Sequence, residues 1–214
     1  MYSLSIFCSS KKVSLAIYKN LELKKFLKGQ YHKNSNEILL LLTKRISKTS
    51  DFGQLSKIFF STGPGSFTSI RAIKSLSQGI SLSQGCRLEA TNNFEIFLNL
   101  LKERTGKFLI FFQVSLYTYS FRLYKISRLG VNPLSKLKFG SIEKLKDCYL
   151  NIKSKDDLKL VSDCKYIKKN FDFFEKEELD IFEIDAKSLA LACMNGKANK
   201  NLNILYHHTY YEKS

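Results

Sequence analysis

The segment STGPGSFTSIR at residues 61–71 is the feature that most restricts how this chain can fold. It contains two of the ten glycines and one of the two prolines, and the apolar run KIFF at residues 57–60 leads into it. The residues that follow place apolar side chains every three or four positions: Phe67, Ile70, Ile73, Leu76 and Ile80. This pattern predicts a buried strand, a tight loop and an amphipathic helix in succession, which is an α/β arrangement.

The loop between these two elements allows two interpretations. A glycine-rich loop can hold phosphate at a helix N-terminus, but a Walker loop needs a lysine after its last glycine and none is present. A dinucleotide loop needs three glycines, and here Thr68 stands third after Gly63 and Gly65. In the other interpretation, Pro64 and the glycines turn the chain while Ser66 caps the helix. We predict this structural role and no bound nucleotide.

Apolar periodicity and turn residues predict the remaining elements of the first half of the chain. They are strands at 2–8, 12–18, 21–30 and 54–61, and helices at 34–48, from Phe67 to about Gly85, and at 92–104. Gly85 is the expected stop of the second helix, and Asn92 or Asn93 is the expected cap of the third. Three antiparallel strands followed by α/β units therefore form the predicted first lobe.

The second half is predicted to be richer in strands. Residues 107–126 are long enough for two strands separated by a turn at QVS, residues 113–115. A short helix at 141–148, a strand at 158–164 and a helix at 185–196, with Asp185 as its cap and Gly196 as its stop, complete the prediction. We expect a first lobe at 1–104 and a divergent second lobe at 105–214, with the C-terminal tail returning to the first.

The charge of the chain has two interpretations. There are 35 Lys and Arg against 19 Asp and Glu, a formal net charge of +16. Such an excess indicates a polyanionic partner, with RNA as the first candidate. Alternatively, the excess of lysine reflects the general amino-acid composition of the chain and indicates no partner. The lack of a dense basic block with interleaved aromatic residues favours this interpretation.

The residues that carry metal and nucleophile chemistry are sparse. The five cysteines are widely spaced and form no CxxC pair, so they are interpreted as buried or incidental thiols. Among the histidines, His32 stands alone, while His207 and His208 are adjacent and would point apart on a helix. We therefore predict no catalytic residue, no metal site and no cofactor.

The chain is also expected to be cytoplasmic, without a membrane partner. No apolar run approaches the roughly 20 residues that a membrane helix requires. The N-terminal residues MYSLSIFCSSKKVSLAIY lack the basic region, long apolar core and cleavage site of a signal peptide.

A long motif adds a family resemblance. The residues GPGSFTSIR resemble the GPGSFTGxR signature of the TsaB (YeaZ) family, the non-catalytic subunits of the bacterial machinery that makes threonylcarbamoyladenosine in tRNA. Seven positions match: Gly63, Pro64, Gly65, Ser66, Phe67, Thr68 and Arg71. Ser69 departs from the usual glycine, and Phe7 stands where the family has an acidic residue. The resemblance is good over residues 1–100 and implies a degenerate actin-like ATPase fold of two lobes.

The family resemblance also implies a function and partners. TsaB-like proteins are scaffolds that pair with a TsaD-like catalytic paralogue and a TsaE-like ATPase, and tRNA is reached through that complex. A homodimer is the alternative state of the chain alone. The implied partner interface lies on two N-lobe helices, at His32, Ile38, Leu39, Leu42, Ile70 and Ile73.

Two other functions compete with the scaffold. One is a surviving enzyme of the actin-like superfamily, either nucleotide- or metal-dependent and peptidase-like. Phe7 stands where a nucleotide-binding member would have an acidic residue, and the chain lacks two histidines one helical turn apart that could hold a metal. Both observations argue against an enzyme. The other is a basic adapter that binds RNA directly, for which the net charge is the motivation.

Overall fold

The computed structural model describes residues 1–9, 12–29, 35–153, 158–163 and 179–205, and all statements below concern these residues. These residues form both strands and helices. In chain order they are β1 (Tyr2–Ser9), β2 (Lys12–Lys19), β3 (Glu22–Gly29), α1 (Ser35–Ile46), β4 (Leu55–Ser61), α2 (Phe67–Gln84), β5 (Arg87–Thr91), α3 (Asn93–Leu100), β6 (Gly106–Gln113), β7 (Tyr119–Ser127), β8 (Gly130–Pro133), β9 (Lys138–Gly140), α4 (Ile142–Lys153), β10 (Leu158–Ser162), β11 (Leu179–Ile181) and α5 (Ala186–Ala192).

The chain divides into two compact units. The first contains Met1–Asn99 and the described residues from Ile184 onward, and the second contains Leu100–Glu183. The sequence placed one boundary between residues 104 and 105, whereas the structure divides the chain at Leu100 and again at Ile184. Helix α5, expected in the second lobe, belongs to the first unit because it packs on β1 and β2.

The first unit is built on a five-stranded sheet with the order β3-β2-β1-β4-β5. Strands β1, β2 and β3 pair antiparallel, whereas β4 and β5 continue the sheet parallel to β1. Alternate residues of each strand face opposite sides. Leu4 and Ile6 of β1 and Leu15 of β2 are fully buried in the core that α1 and α2 cover.

The opposite face of this sheet is covered by α5. The Ala186 amide donates a hydrogen bond to Ser14 Oγ at 2.9 Å. Asp185 caps the helix as predicted, since its carboxylate accepts from the amides of Lys187 at 2.8 Å and Ser188 at 3.0 Å. The helix ends in a π-helical turn, Cys193–Lys197, in which Gly196 has φ +84°. The cap and the stop therefore hold an apolar helix against the sheet.

The second unit is built on a six-stranded sheet with the order β11-β10-β6-β7-β8, and β9 pairs with β7. Strands β6 and β7 form the predicted hairpin, with Val114 and Ser115 in the turn. Helix α4 buries Leu145 and Tyr149 against Leu109 and Phe121 of this hairpin. The aromatic residues that made this region appear strand-rich therefore form its core.

The predicted α/β class with two sheets is confirmed, and four strands were missed. Strands β5, β8, β9 and β11 contain only five, four, three and three residues. Such short segments carry no periodic signal and form because a longer neighbour offers an unpaired edge. Strand β5, for example, continues the sheet by pairing with β4 from Lys57–Arg87 to Ser61–Thr91.

No helix within the described ranges combines the length and the apolar character that a bilayer-spanning segment requires.

Candidate functional site: the glycine loop and the outer face of two helices

Asn93, the first residue of α3, anchors the loop that joins β4 to α2. Its side chain donates through Nδ2 to the carbonyl of Pro64 at 2.7 Å and accepts through Oδ1 from Ser61 Oγ at 2.6 Å. Its own amide donates to the carbonyl of Gly63 at 2.6 Å. Asn93 is 5% exposed, so these bonds form away from water and hold the loop against α3.

Further hydrogen bonds use the backbone of the same loop. The Thr62 amide donates to the carbonyl of Thr91 at 2.9 Å, and the Gly63 amide donates to Ser61 Oγ at 3.1 Å. The Thr62 carbonyl accepts from the Leu205 amide at 2.9 Å. A loop that cradles phosphate instead directs successive amides at its ligand. The geometry thus supports a structural turn, and the lack of a bound nucleotide stays a prediction.

Ser66 begins α2 without the side-chain cap that the sequence predicted. Its carbonyl accepts from the Ile70 amide at 2.9 Å, but its hydroxyl makes no cap hydrogen bond. Ser66 therefore occupies the N-cap position through its backbone, at φ −56° and ψ 121°, and the predicted side-chain cap is absent. At the other end, Gly85 has φ +63° and stops the helix as predicted.

The two motif glycines have different roles, which yields a stability prediction. Gly63 has φ +94°, and a Cβ built there would lie 2.7 Å from Ile70 Cδ1. The φ of Gly65 is not in this left-handed range, and a Cβ built there would lie 3.4 Å from Ile70 Cδ1. We expect Gly63→Ala to lower the free energy of unfolding by about 1–3 kcal/mol and Gly65→Ala by less than about 1 kcal/mol. Urea unfolding measures both, and equal losses would contradict this assignment.

The residues predicted as a partner interface prove to be mainly core residues. Four of them are almost fully buried in the first unit: Leu39 (2% exposed), Leu42 (5%), Ile70 (2%) and Ile73 (0%). Ile38 is partly buried against the same core. They form the stripe of each helix that faces the sheet, so they offer no surface to a partner. His32 lies outside the described residues.

Helix α1 nevertheless exposes two apolar side chains on its other face. Leu40 is 63% exposed and Leu41 is 61% exposed, whereas Leu39 and Leu42 beside them pack on the sheet. Glu37, Lys44 and Arg45 are exposed around the two leucines. The corrected candidate interface is therefore the face opposite the predicted stripe.

The outer face of α2 differs in character from that of α1. In its first turn, the Arg71 guanidinium lies 3.9 Å from the centroid of the Phe67 ring, and both side chains are exposed. Further along, the exposed positions include Ser75 and Gly79, which carry little or no side chain. Helices α1 and α2 contact each other on the same side of the sheet. Two matched motif residues, Phe67 and Arg71, thus lie at one end of this outer face, and Leu82, which is 85% exposed, lies near the other end.

The two positions that depart from the family motif are both inside the first unit. Ser69, which replaces a glycine, is 2% exposed in the first turns of α2. Phe7, which replaces an acidic residue, is fully buried in β1. An aromatic ring at this position fills space in the sheet where a carboxylate would need charged or polar partners.

Burial raises the pKa of the Cys86, Cys148 and Cys193 thiols. The reactive form of cysteine is the thiolate, so a raised pKa makes these thiols poor nucleophiles. Among the residues that the structure describes, no group of three or more His, Cys, Asp or Glu side chains could hold a metal ion. All three histidines lie outside that part of the chain, so the prediction of no metal site is untested.

Comparison with known proteins gives one curated relative and several similar structures. The chain is 38% identical over 81 residues to the tRNA threonylcarbamoyladenosine biosynthesis protein TsaB of Buchnera aphidicola subsp. Acyrthosiphon pisum (strain APS). This alignment spans 37% of the chain and 37% of that relative. No protein-family model matches the chain.

The fold is similar to solved structures over nearly its whole length. YeaZ from Pseudomonas aeruginosa has a TM-score of 0.67 and 13% identity, covering 96% of this chain and 99% of that one. A protein from Bacteroides thetaiotaomicron with an actin-like ATPase fold has a TM-score of 0.50 and 10% identity, covering 91% of this chain and 95% of that one. At these identities the likeness establishes the fold, which is the actin-like architecture expected from the sequence.

Proposed function

We propose that the chain, which is similar to TsaB over 81 residues and to YeaZ in fold, is a member of that family and a non-catalytic scaffold in the formation of threonylcarbamoyladenosine in tRNA. In this role it binds a TsaD-like catalytic paralogue through the outer face of α1 and α2. A TsaE-like ATPase joins the same complex, and tRNA is modified by the paralogue. The chain alone is a monomer or uses the same face to form a homodimer.

The exposed leucine pair on α1 is the observation that supports docking. A helix with one buried face needs polar residues on its other face to remain soluble alone. Leu40 and Leu41 instead project from the unit with more than half of each side chain in water. Apolar side chains grouped on an exposed helix favour burial against another protein.

The charged residues around the leucines define what the partner surface must contain. Lys44 and Arg45 follow them and Glu37 precedes them, so the rim is polar and carries a net positive charge. Protein interfaces commonly have an apolar centre with a polar rim. We therefore infer that the partner presents an apolar helix face bordered by carboxylates.

Helix α2 supplies a second line of contact. The Arg71 guanidinium lies over the Phe67 ring, and aromatic residues and arginine are both enriched at protein interfaces. Ser75 and Gly79 are small, so a partner helix would approach α2 closely there, and it would bury Leu82, which is 85% exposed one turn further along. The interface proposed for α1 thus extends across α2.

The proposed function is tested by the nucleoside content of tRNA. Depletion of the protein in its own cells should remove most threonylcarbamoyladenosine from tRNA, because the catalytic paralogue lacks its scaffold. Mass spectrometry of digested tRNA measures the modified nucleoside, and re-expression of the intact chain should restore it. An unchanged level after verified depletion would refute the role in this modification.

A further inference from the structure

An open cleft of about 420 Å³ lies in the second unit, and none of its lining residues belongs to the proposed docking face. It forms where β6 begins and β7 ends. Its lining consists of Thr105, Gly106, Lys107, Lys125, Ile126, Ser127 and Arg128. Three of these seven side chains are cationic, and none is acidic.

The register of the β6–β7 hairpin places two of these cations together. Lys107 pairs directly with Lys125 across the antiparallel ladder, so their side chains emerge on the same face of the sheet. Like charges in directly opposite positions destabilise a strand pair. Arg128 follows in the turn after β7, at the same end of the hairpin. The fold thus holds three positive groups around one cleft.

The chain around the cleft is also strongly basic. Between Leu101 and Gly140 a single acidic residue, Glu103, stands against eight basic ones: Lys102, Arg104, Lys107, Arg122, Lys125, Arg128, Lys136 and Lys138. Arg104 forms an ion pair with Asp180. Lys125 and Arg128 are both exposed at the cleft. At this end of the hairpin, the field of Lys107, Lys125 and Arg128 would therefore attract a polyanion.

The lining is unsuited to an apolar small molecule. Sites of that kind are lined mainly by apolar and aromatic side chains, whereas Ile126 is the single large apolar residue here and it is buried in the sheet. Lysine and arginine are the side chains that contact nucleic-acid phosphates, and arginine can donate two parallel hydrogen bonds to one phosphate. An open basic cleft at a hairpin end fits a phosphate backbone that passes along the surface.

We propose that this cleft binds the phosphate backbone of RNA, so that the chain contacts tRNA directly. The inference rests on the proposed function, which brings the protein to tRNA, and it adds a contact on the chain itself. Lys125 and Arg128 bind adjacent phosphates, and Lys107, which also lines the cleft, adds to its positive charge. The contact is electrostatic and independent of nucleotide sequence.

The test is binding of a labelled, unmodified tRNA transcript for an ANN codon, measured by fluorescence anisotropy over a series of salt concentrations. The variant Lys125→Gln/Arg128→Gln removes two exposed charges. Each lost phosphate contact should reduce the slope of log affinity against log salt by about 0.7–0.9. We expect the double variant to lose about 1.5 from the slope and to bind roughly twentyfold more weakly at about 0.1 M salt.

A matched control removes the same charge elsewhere in the second unit, on β9 and the segment just before it. Lys138 pairs with Phe121 at the other end of β7, and Lys136 is exposed beside it. Lys136→Gln/Lys138→Gln should leave most of the affinity and slope intact. Equal losses in the two double variants would overturn the proposal, since the binding would then be diffuse. The proposal would also be overturned if the cleft variant bound poly-glutamate more weakly than the unmodified chain but bound tRNA equally well. The cleft would then be a site for an acidic protein.

Parallel binding to the TsaD-like paralogue separates this inference from the proposed function. The cleft variant should bind the paralogue like the unmodified chain. If the chain binds the paralogue but the cleft substitutions do not change its affinity for tRNA, the RNA contact is wrong and the scaffold role stands. If the cleft governs tRNA binding but the paralogue does not bind, the scaffold role is wrong and the RNA contact stands.

Discussion

Replacing both exposed leucines of α1 by aspartate should weaken binding to the TsaD-like paralogue at least a hundredfold. Leu40 and Leu41 form the apolar centre of the proposed interface, and two carboxylates there would have to be buried without partners. A hundredfold loss corresponds to about 2.7 kcal/mol of binding free energy. Titration calorimetry with the purified paralogue measures it directly.

The same variant should remain folded, because substitutions at exposed positions usually change stability by less than about 0.5 kcal/mol. Leu116→Asp is the matched control, since Leu116 is 72% exposed in the turn of the β6–β7 hairpin. It makes the same kind of substitution once, at an exposed position of the second unit that belongs to neither α1 nor α2, and should leave binding unaltered. Undiminished binding by the double variant would exclude this face of α1 from the interface.

Asn93→Ala should cause the largest loss of stability that we expect from a polar substitution. It removes the donor to the Pro64 carbonyl and the acceptor for the Ser61 hydroxyl. Each buried group left without its partner costs about 1–3 kcal/mol, so the free energy of unfolding should fall by roughly 2–4 kcal/mol. The melting temperature should fall by on the order of 10 °C.

Asn99→Ala is the control on the same helix. Asn99 Oδ1 accepts from Asn195 Nδ2 at 2.9 Å, and this bond lies at the surface. Its loss should change the free energy of unfolding by less than about 0.5 kcal/mol. Urea unfolding followed by circular dichroism compares the two variants. Similar stability in both would mean that the Asn93 bonds do not hold the glycine loop.

The long elements of the fold could be predicted from the sequence because they are periodic. The alternation in β1 and β2 and the stripe from Phe67 to Ile80 are local signals, and all three elements lie where they were predicted. The sequence motif also identified the strand-to-helix loop. Short strands such as β9 carry no such signal, since their pairing depends on a neighbour distant in sequence.

The residues predicted on α1 as a partner interface lie in the core, for a reason that applies to any helix of this composition. A run of four leucines marks a helix as apolar on two faces, but it does not say which face meets the sheet. Leu39 and Leu42 were chosen, and the structure places both in the core. Gly29 explains the orientation in part, because a Cβ there would lie 2.2 Å from Ile38 Cγ2, so α1 approaches β3 closely along this side.

Neither Asn93 nor the basic cleft could be identified as a site from sequence alone. Asn92 or Asn93 was predicted as the helix cap, and Asn92 has that role, since its Oδ1 accepts from the Glu95 amide at 3.0 Å. The hydrogen bonds from Asn93 to the loop join residues about thirty positions apart. These residues are neighbours because β5, which precedes Asn93, pairs with β4, which precedes the loop. Likewise, Lys107 and Lys125 become neighbours only through the register of their hairpin.

The most direct test of the scaffold role is the mass of the complex formed with the TsaD-like paralogue from the same organism. Size-exclusion chromatography with light scattering, using both purified proteins at micromolar concentration, measures it. We predict a stable complex with equal numbers of the two chains, which the Leu40→Asp/Leu41→Asp variant does not form. Two separate peaks with the masses of the individual proteins, both folded, would contradict the account.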